Sequence, residues 1–328
     1  MSLTLTEIQA LTDDVWFPDA QNQWQMGNVL MFKFIEKMEK IGSCEKVRQV
    51  LEYASSRGGA MGASTIFDTA KKVTMNAARY EWARFWTGVT IDHDDEIKVS
   101  GGDADVDLVM TKLDNAQATL RDIMGDSLWM SYSSAQTEYG GETDPFYGLE
   151  DLMTSAGAYG GIAAADLGTF TREGSSVNIW APFEDSTART MNFQTMQYLR
   201  RNCKVGSGKG EKPDLYVTTE ALKDAFENSL QAAQRHNDAG LTAAGFENVL
   251  FGGNSGAPVV ADDKCTASYV NGLNMNRLYL KAHKDFSLDY SPQWKIPTNQ
   301  YVKTTQFIFA GAFCCSERRA HGRLTSVS

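Results

Sequence analysis

Between Asp103 and about Met130 the chain carries one uninterrupted helical signal. Val106, Val109, Leu113, Leu120 and Ile123 or Met124 fall on one stripe, with Ala116 filling the middle turn. Gly101 and Gly102 precede it, and Asp103, Asp105 and Asp107 crowd its first turn. Acidic groups there favour the positive end of the helix dipole by about 0.3–1 kcal/mol each. At 1.5 Å per residue the segment predicts a straight rod of about 40 Å. Long strands accompany it, above all Tyr301 to Cys315, and this mixture argues for an α+β protein.

Other elements order themselves around the rod. Met1 to Asn22 is polar and mixed, with anchors at Val15, Trp16 and Phe17, and reads as an extended arm. Leu30, Phe34, Met38 and Ile41 predict a helix over Gly27 to Ile41 that ends at Gly42. Val47 to Tyr53 partly alternates, and a return strand is expected from about Ile66 to Met75. Between them, Ser55 to Ser64 holds Gly58, Gly59 and Gly62 and almost no bulk, so it reads as a loop tip that packs no core. A two-stranded hairpin is marginal alone in water, which implies that a partner supplies its stability. Tyr139 to Arg172, rich in glycine, reads as loops with short elements. Helices are expected over Ala188 to Asn202 and Thr219 to His236. Strands are expected at Asp214 to Thr218, Val249 to Phe251, Val259–Val260, Ala267 to Leu273 and Arg277 to Lys281. No internal repeat is visible.

The 328 residues give a prior of about two domains. The formal charge of −10 disfavours general affinity for a nucleic-acid backbone. The longest late apolar run, Phe307 to Cys315, is nine residues, where a membrane-spanning helix needs about 20. The first residues carry Glu7, Asp13 and Asp14 without Lys or Arg, unlike a secretory signal. The odd cysteine set, Cys44, Cys203, Cys265, Cys314 and Cys315, lacks any CxxC pair, so reduced thiols in a cytosolic compartment are expected and a structural zinc site is not.

Five motifs invite chemistry. Gly253-Asn254-Ser255-Gly256-Ala257-Pro258 resembles a serine-protease nucleophile signature, but Ala257 replaces a glycine and no histidine stands in that family's context. A serine hydrolase using Ser255 is the alternative, against a glycine turn between strands. Val205 to Gly210 lacks both the leading Gly and the hydroxyl of a phosphate loop. Asp103, Asp105 and Asp107 lack the glycine and glutamate of a calcium loop, while Asp92, Asp94, Asp95 and Glu96 read as a solvated acidic loop. Arg318, Arg319, His321 and Arg323 form a basic cluster read either as a solvated strand face or as a partner for a neighbour's carboxylates. No catalytic set, cofactor site or metal site emerges, and a chain with a loose arm and an unsupported hairpin looks built to contact copies of itself.

The order of these features resembles the Hong Kong 97-like fold of tailed-bacteriophage major capsid proteins over nearly the whole chain. Glu45 to about Tyr80 resembles that fold's extended loop, and the helix from Asp103 its spine helix. Phe146-Tyr147-Gly148-Leu149-Glu150-Asp151-Leu152 and Tyr159-Gly160-Gly161-Ile162 resemble two of its glycine stretches. Pro213 to Thr219 resembles the start of an axial-domain core, and Val270-Asn271-Gly272-Leu273-Asn274 a strand end. The resemblance implies an arm and first helix over 1–44 and an extended loop with its return over 45–100. It implies a peripheral domain with the spine helix over 101–182, an axial domain over 183–300, and a return strand with the C-terminus over 301–328. It implies a non-enzymatic shell subunit of an icosahedral virion capsid, assembled as hexamers and pentamers in the bacterial host cytoplasm. Arg57, Gly58, Gly59, Met61 and Gly62 at the loop tip and Val15, Trp16 and Phe17 in the arm would meet neighbouring subunits. Expected partners are other copies, a separate scaffolding protein, a portal, and packaged double-stranded DNA held without sequence-specific binding; there is room for a decoration protein. Lys71 or Lys72 are among the candidates for the lysine of a covalent crosslink known in one branch of the fold.

Overall fold

The computed structural model describes residues 28–42, 44–64, 66–67, 69–92, 103–172, 175–205, 211–230, 248–251, 256–288, 294–298 and 302–328. Val15, Trp16, Phe17 and Ser255 lie outside the described residues.

Helix α1 (Val29–Glu36) starts at Asn28, whose Oδ1 accepts the Met31 N–H at 2.8 Å. It ends five residues short of the expected Ile41: Glu39–Ile41 form β1, parallel to β12 (Leu278–His283), with Lys281 paired to Glu39. The helix expected to reach Ile41 therefore stops at Glu36, because the edge of a sheet captures the next residues. Its buried face is Val29, Leu30, Met31 and Phe34.

Strands β2 (Val47–Glu52) and β3 (Met75–Tyr80) form an antiparallel hairpin. No strand forms between Tyr53 and Thr74 among the described residues, so the return strand begins at Met75 rather than near Ile66. The serine- and glycine-rich run that follows β2 offers no alternating partner for Ile66 and Phe67 to pair with.

Strand β4 (Ala83–Asp92) lies antiparallel to β13 (Val302–Cys315), in register from Ala83 opposite Gly311 to Asp92 opposite Val302. Together they complete a four-stranded sheet ordered β1-β12-β13-β4. Strict alternation in β4 turns Phe85, Val89 and Ile91 inward. Helix α2 (Asp103–Trp129) packs against this sheet through Ala116, Leu120, Met124 and Leu128. The expected rod is present over nearly its expected length. Each large apolar side chain buried here is worth about 1.5–3 kcal/mol. Phe85, Phe146 and Phe309 form an aromatic chain in this core, with ring centroids 4.8 and 6.4 Å apart. A side chain at Gly125 would strike Asn28, so that glycine lets the start of α1 lie directly on α2.

Two short helices follow, α3 (Tyr132–Glu138) and α4 (Leu149–Met153), then a small hairpin of β5 (Thr169–Arg172) and β6 (Ser175–Asn178). The glycine-rich stretch thus carries short elements, as expected.

A second core surrounds a six-stranded sheet. Its strands are β7 (Phe183–Asp185), β8 (Leu215–Thr218), β9 (Asn248–Phe251), β10 (Ala257–Ala261), β11 (Val270–Leu273) and β14 (Gly322–Leu324), ordered β7-β14-β11-β8-β10-β9. Helix α5 (Phe193–Cys203) buries Met196, Leu199 and Cys203, and α6 (Glu220–Ser229) buries Leu222 and Phe226. These meet Tyr216, Phe251, Val259 and Val270. Asn192 caps α5 by accepting the Thr195 N–H at 2.9 Å.

The two sheets are joined by paired crossings. The chain passes from β11 to β12 through Asn274–Arg277, and from β13 to β14 through Ser316–His321. The crossings bond to each other, Ser316 N–H to Arg277 O at 2.9 Å and Asn274 N–H to His321 Nδ1 at 3.1 Å. Among the described residues no helix is long and apolar enough to cross a membrane, and no disulfide forms. Cys314 and Cys315 are both buried, since both faces of this end of β13 are covered.

Candidate inter-subunit interface

The hairpin is held at its foot and bare at its tip. Its inner face, Val47 and Leu51 of β2 with Ala78 and Tyr80 of β3, is buried. Tyr80 Oη donates to the Cys315 carbonyl at 2.7 Å. Lys46 Nζ meets Glu81 at 2.5 Å, and Trp82 Nε1 donates to Cys44 O at 2.7 Å. Arg79 N–H donates to Gly160 O at 2.8 Å. The ladder closes where Tyr53 N–H reaches Thr74 O at 3.0 Å.

Beyond that point the sequence expectation for the tip holds in one respect: Arg57, Gly58, Gly59, Met61 and Gly62 are all exposed. The structure leaves all five side-chain positions in water. It adds apolar side chains that composition did not single out. Ile66 is 94 % exposed, and Phe67, Val73, Met75 and Val50 are also bare. Apolar surface left in water is unfavourable, and each of these side chains would gain by being covered.

A second apolar spot lies on the outer face of the four-stranded sheet. Trp86, 68 % exposed, stands directly opposite Ile308 in the β4–β13 register. Strand β4 is also the sheet's outer edge, ten residues long. An edge of that length invites a further strand.

The basic cluster expected on the surface is a correction. Arg318 is fully buried and pairs with no carboxylate among the described residues. All its donors go to backbone carbonyls: Nε to Leu152 (2.8 Å), Nη1 to Gly157 (2.6 Å) and Trp180 (3.3 Å), Nη2 to Asp151 (2.8 Å) and Thr154 (2.5 Å). Three of these carbonyls belong to the end of α4, the negative end of a helix. Burial pulls the guanidinium below its ordinary pKa, and nearby Tyr159 works against that. Arg323 is also buried and meets Glu150 (2.5 Å) and Glu184 (2.7 Å) of its own chain. His321 is enclosed, and burial, with Arg277 and Arg318 nearby, lowers its pKa to about 3. The cluster is therefore an internal clamp. Nothing in the run Arg318-Arg319-Ala320-His321 signals burial, because the five acceptors come from residues far away in sequence.

Among the described residues no group of three or more His, Cys, Asp and Glu is placed to hold a metal ion. A buried junction does join α1, α2 and the β10–β11 turn. Asp262 Oδ2 accepts the Leu30 N–H at 3.2 Å and Oδ1 the Lys264 N–H at 3.0 Å. Lys264 Nζ sits between Asp122 (3.0 Å) and Asp126 (2.8 Å) of α2. Burial raises the Asp262 carboxyl to about 6, against the opposing pull of its two backbone donors.

No family model matches this chain, and no curated protein matches its sequence. Solved structures do match from end to end. The capsid subunit of cyanophage A-1(L) superposes with TM-score 0.68 at 13% identity, over 98% of this chain and 99% of that one. The SrpI encapsulin of Synechococcus elongatus, in its holo complex, matches with TM-score 0.57 at 10% identity, over 100% and 97% of the two chains. A chain of Mycobacterium phage Adephagia matches with TM-score 0.54 at 10% identity, over 100% and 99%. With its two large sheets, the long helix α2 and the β2–β3 hairpin, the chain has the α+β, Hong Kong 97-like fold.

Proposed function

We propose that this chain is the major capsid protein of a tailed double-stranded DNA bacteriophage, a structural subunit that closes into hexamers, pentamers and an icosahedral shell. The carrying observation is a hairpin anchored at its foot, with bare apolar side chains beyond it, on a frame that matches a phage capsid subunit along its whole length. Ordering such a loop costs about 1–2 kcal/mol per residue in backbone entropy, so an extended contact with a neighbour must offset it. Heterologous contacts that close on themselves give rings. The encapsulin shares the fold at TM-score 0.57 against 0.68 for the cyanophage subunit, and the reading follows the larger likeness.

On this reading the four-stranded sheet and α2 form the peripheral domain and the six-stranded sheet with α5 and α6 the axial domain, so that β12 leaves the span 183–300 for the peripheral side and β14 joins the axial one. The loop tip, Arg57 to Gly62, lies on a neighbouring copy, and the arm around Val15, Trp16 and Phe17 reaches another. A separate scaffold, a portal and a decoration protein are its further partners, with DNA in the lumen and the virion capsid as its location. The subunit performs no catalysis. Of the described histidines, His321 is enclosed with Nδ1 accepting the Asn274 N–H, and His283 belongs to β12 in the other sheet, so a hydrolase built on Ser255 has no support from either.

Negative-stain electron microscopy of the purified protein tests this. Shells, tubes or rings are expected from the wild type and from Ser255→Ala. Deleting Arg57 to Ala63 should leave a folded subunit that fails to close shells, and normal shells from that variant would contradict the role given to the loop.

A further inference from the structure

The outer face of the hairpin contains an electrostatic conflict. Arg48 of β2 and Arg79 of β3 stand directly opposite each other in register, both exposed. Side chains in that relation have Cβ atoms about 4.5–5.5 Å apart, and like charges there destabilise the pair. The hairpin cannot turn away, because its other face is committed to the core through Val47, Leu51, Ala78 and Tyr80.

Neither guanidinium has an ion-pair partner among the described residues. Neighbouring cations do: Lys46 meets Glu81, Arg84 meets Asp144, and Arg323 meets two glutamates. Glu52 shares the bare face with Arg48 but lies four residues along the strand, about 13 Å away at 3.3 Å per residue. Val50, Ala77 and Met75 flank the two arginines on that face, Val50 and Met75 exposed. A cleft of about 490 Å³ borders Arg79, lined also by Lys46, Tyr147 and Gly161 and by two carboxylates that are already engaged, Glu81 with Lys46 and Asp166 with the Ala163 N–H.

We infer that Arg48 and Arg79 together dock a carboxylate-bearing surface of a second copy of this chain. Two adjacent guanidinium forks suit carboxylate oxygens, and the apolar flank would remove water from the pair as it forms. Complementary charge is at hand on the same chain. Its net charge is −10, and Asp114, Glu138, Glu142 and Asp224 are exposed with no ion pair among the described residues. A partner's carboxylate cancels the repulsion that the hairpin carries alone. The inference rests on the shell reading and names the chemistry of its loop contact.

Arg79→Glu and Arg48→Glu test it, since each turns the cross-strand conflict into an attraction within the subunit. The urea midpoint of either variant should stay level or rise, while the yield of shells or rings falls about tenfold. The double Arg48→Gln, Arg79→Gln variant removes both charges without reversing them and should show the same loss of yield, should a Glu variant fold poorly. Wild-type yields from all three variants overturn this inference and leave the shell reading standing. A wild type that remains monomeric overturns the shell reading, and this inference with it. Binding of a 20-base-pair DNA duplex to the wild type, lost in the Gln variant, overturns it in favour of a phosphate contact.

Discussion

Tyr80 Oη donates to the carbonyl of Cys315 at 2.7 Å and accepts the N–H of the same residue at 3.2 Å. One hydroxyl thus satisfies both backbone groups of a buried strand residue. The need arises because β4 stops pairing with β13 at Ala83 opposite Gly311, leaving the edge of β13 open from there onward. Tyr159 Oη serves the same edge at the Phe313 carbonyl, 3.3 Å away. Burial, then the neighbouring Cys315 and Cys314 thiols, push the Tyr80 phenol well above its ordinary pKa, so it keeps the proton it donates.

Tyr80→Phe removes both bonds and leaves a buried N–H and C=O without partners. The expected loss is about 1–3 kcal/mol. Urea titration should show a lower midpoint at an unchanged slope. Tyr159→Phe, whose bonds are 3.3 and 3.4 Å, should cost less.

Two adjacent glycines separate backbone strain from crowding. Gly160 (φ +62°) and Gly161 (φ +73°) both occupy the left-handed region. A Cβ on Gly161 meets nothing within 4 Å, whereas one on Gly160 comes to 2.9 Å from the Ala78 Cβ and 3.1 Å from the Tyr80 ring. Gly161→Ala should cost about 1–2 kcal/mol from backbone strain alone. Gly160→Ala should add about 1–3 kcal/mol of overpacking at the hairpin foot. Equal losses from the two would show that the foot yields freely.

Replacing Arg318 should be severe. Lysine offers three donors to a nest of five carbonyls, and methionine offers none. Each abandoned carbonyl costs about 1–3 kcal/mol, so Arg318→Met should leave little soluble subunit and Arg318→Lys a lower thermal midpoint. A midpoint within a degree of wild type for Arg318→Met would contradict the clamp.

Asp262 gives a pH dependence of unusual sign. Its folded carboxyl titrates near 6, above the ordinary 3.8, so the folded state binds the proton more tightly than the unfolded state does. Its contribution to stability is greatest below about pH 4 and declines as pH rises through 6, by up to about 3 kcal/mol. Asp185 acts oppositely. Burial raises its pKa, but bonds from Thr187 and Arg189 outweigh this and lower it to about 2, so its stabilisation is present above 3.8 and lost as pH falls toward 2. Denaturation of Asp262→Asn should show a flatter profile than wild type between pH 4 and 6, and an unchanged profile would refute the assignment.

Elements with a local, repeated signal were legible in the sequence. The stripe from Leu113 to Met124 needs only its own periodicity, and the rod from Asp103 ends one residue from its expected limit. Strand β13 reads as clearly, from its run of β-branched and aromatic residues. What distant partners decide was hidden. Glu39–Ile41 leave the helical pattern because β12 lies beside them, some 240 residues on. Ile66, Phe67 and Val73 have the composition of a strand but no partner strand among the described residues. The glycine tip showed itself through lack of bulk, while the opposed arginines behind it emerge only once the register of β2 and β3 is known.

The paired crossings between the sheets have a consequence for synthesis. Strand β13 lies inside the four-stranded sheet and β14 inside the six-stranded one, so neither sheet can close until residues 302–324 exist. Strand β4 is complete at Asp92, but its partner follows about 200 residues later. At 5–20 residues per second on the ribosome, that delay is about 10–40 s. Throughout it Phe85, Val89 and Ile91 have no sheet to enter. A chain proposed to join copies of itself must first pass an interval in which premature joining is its chief hazard.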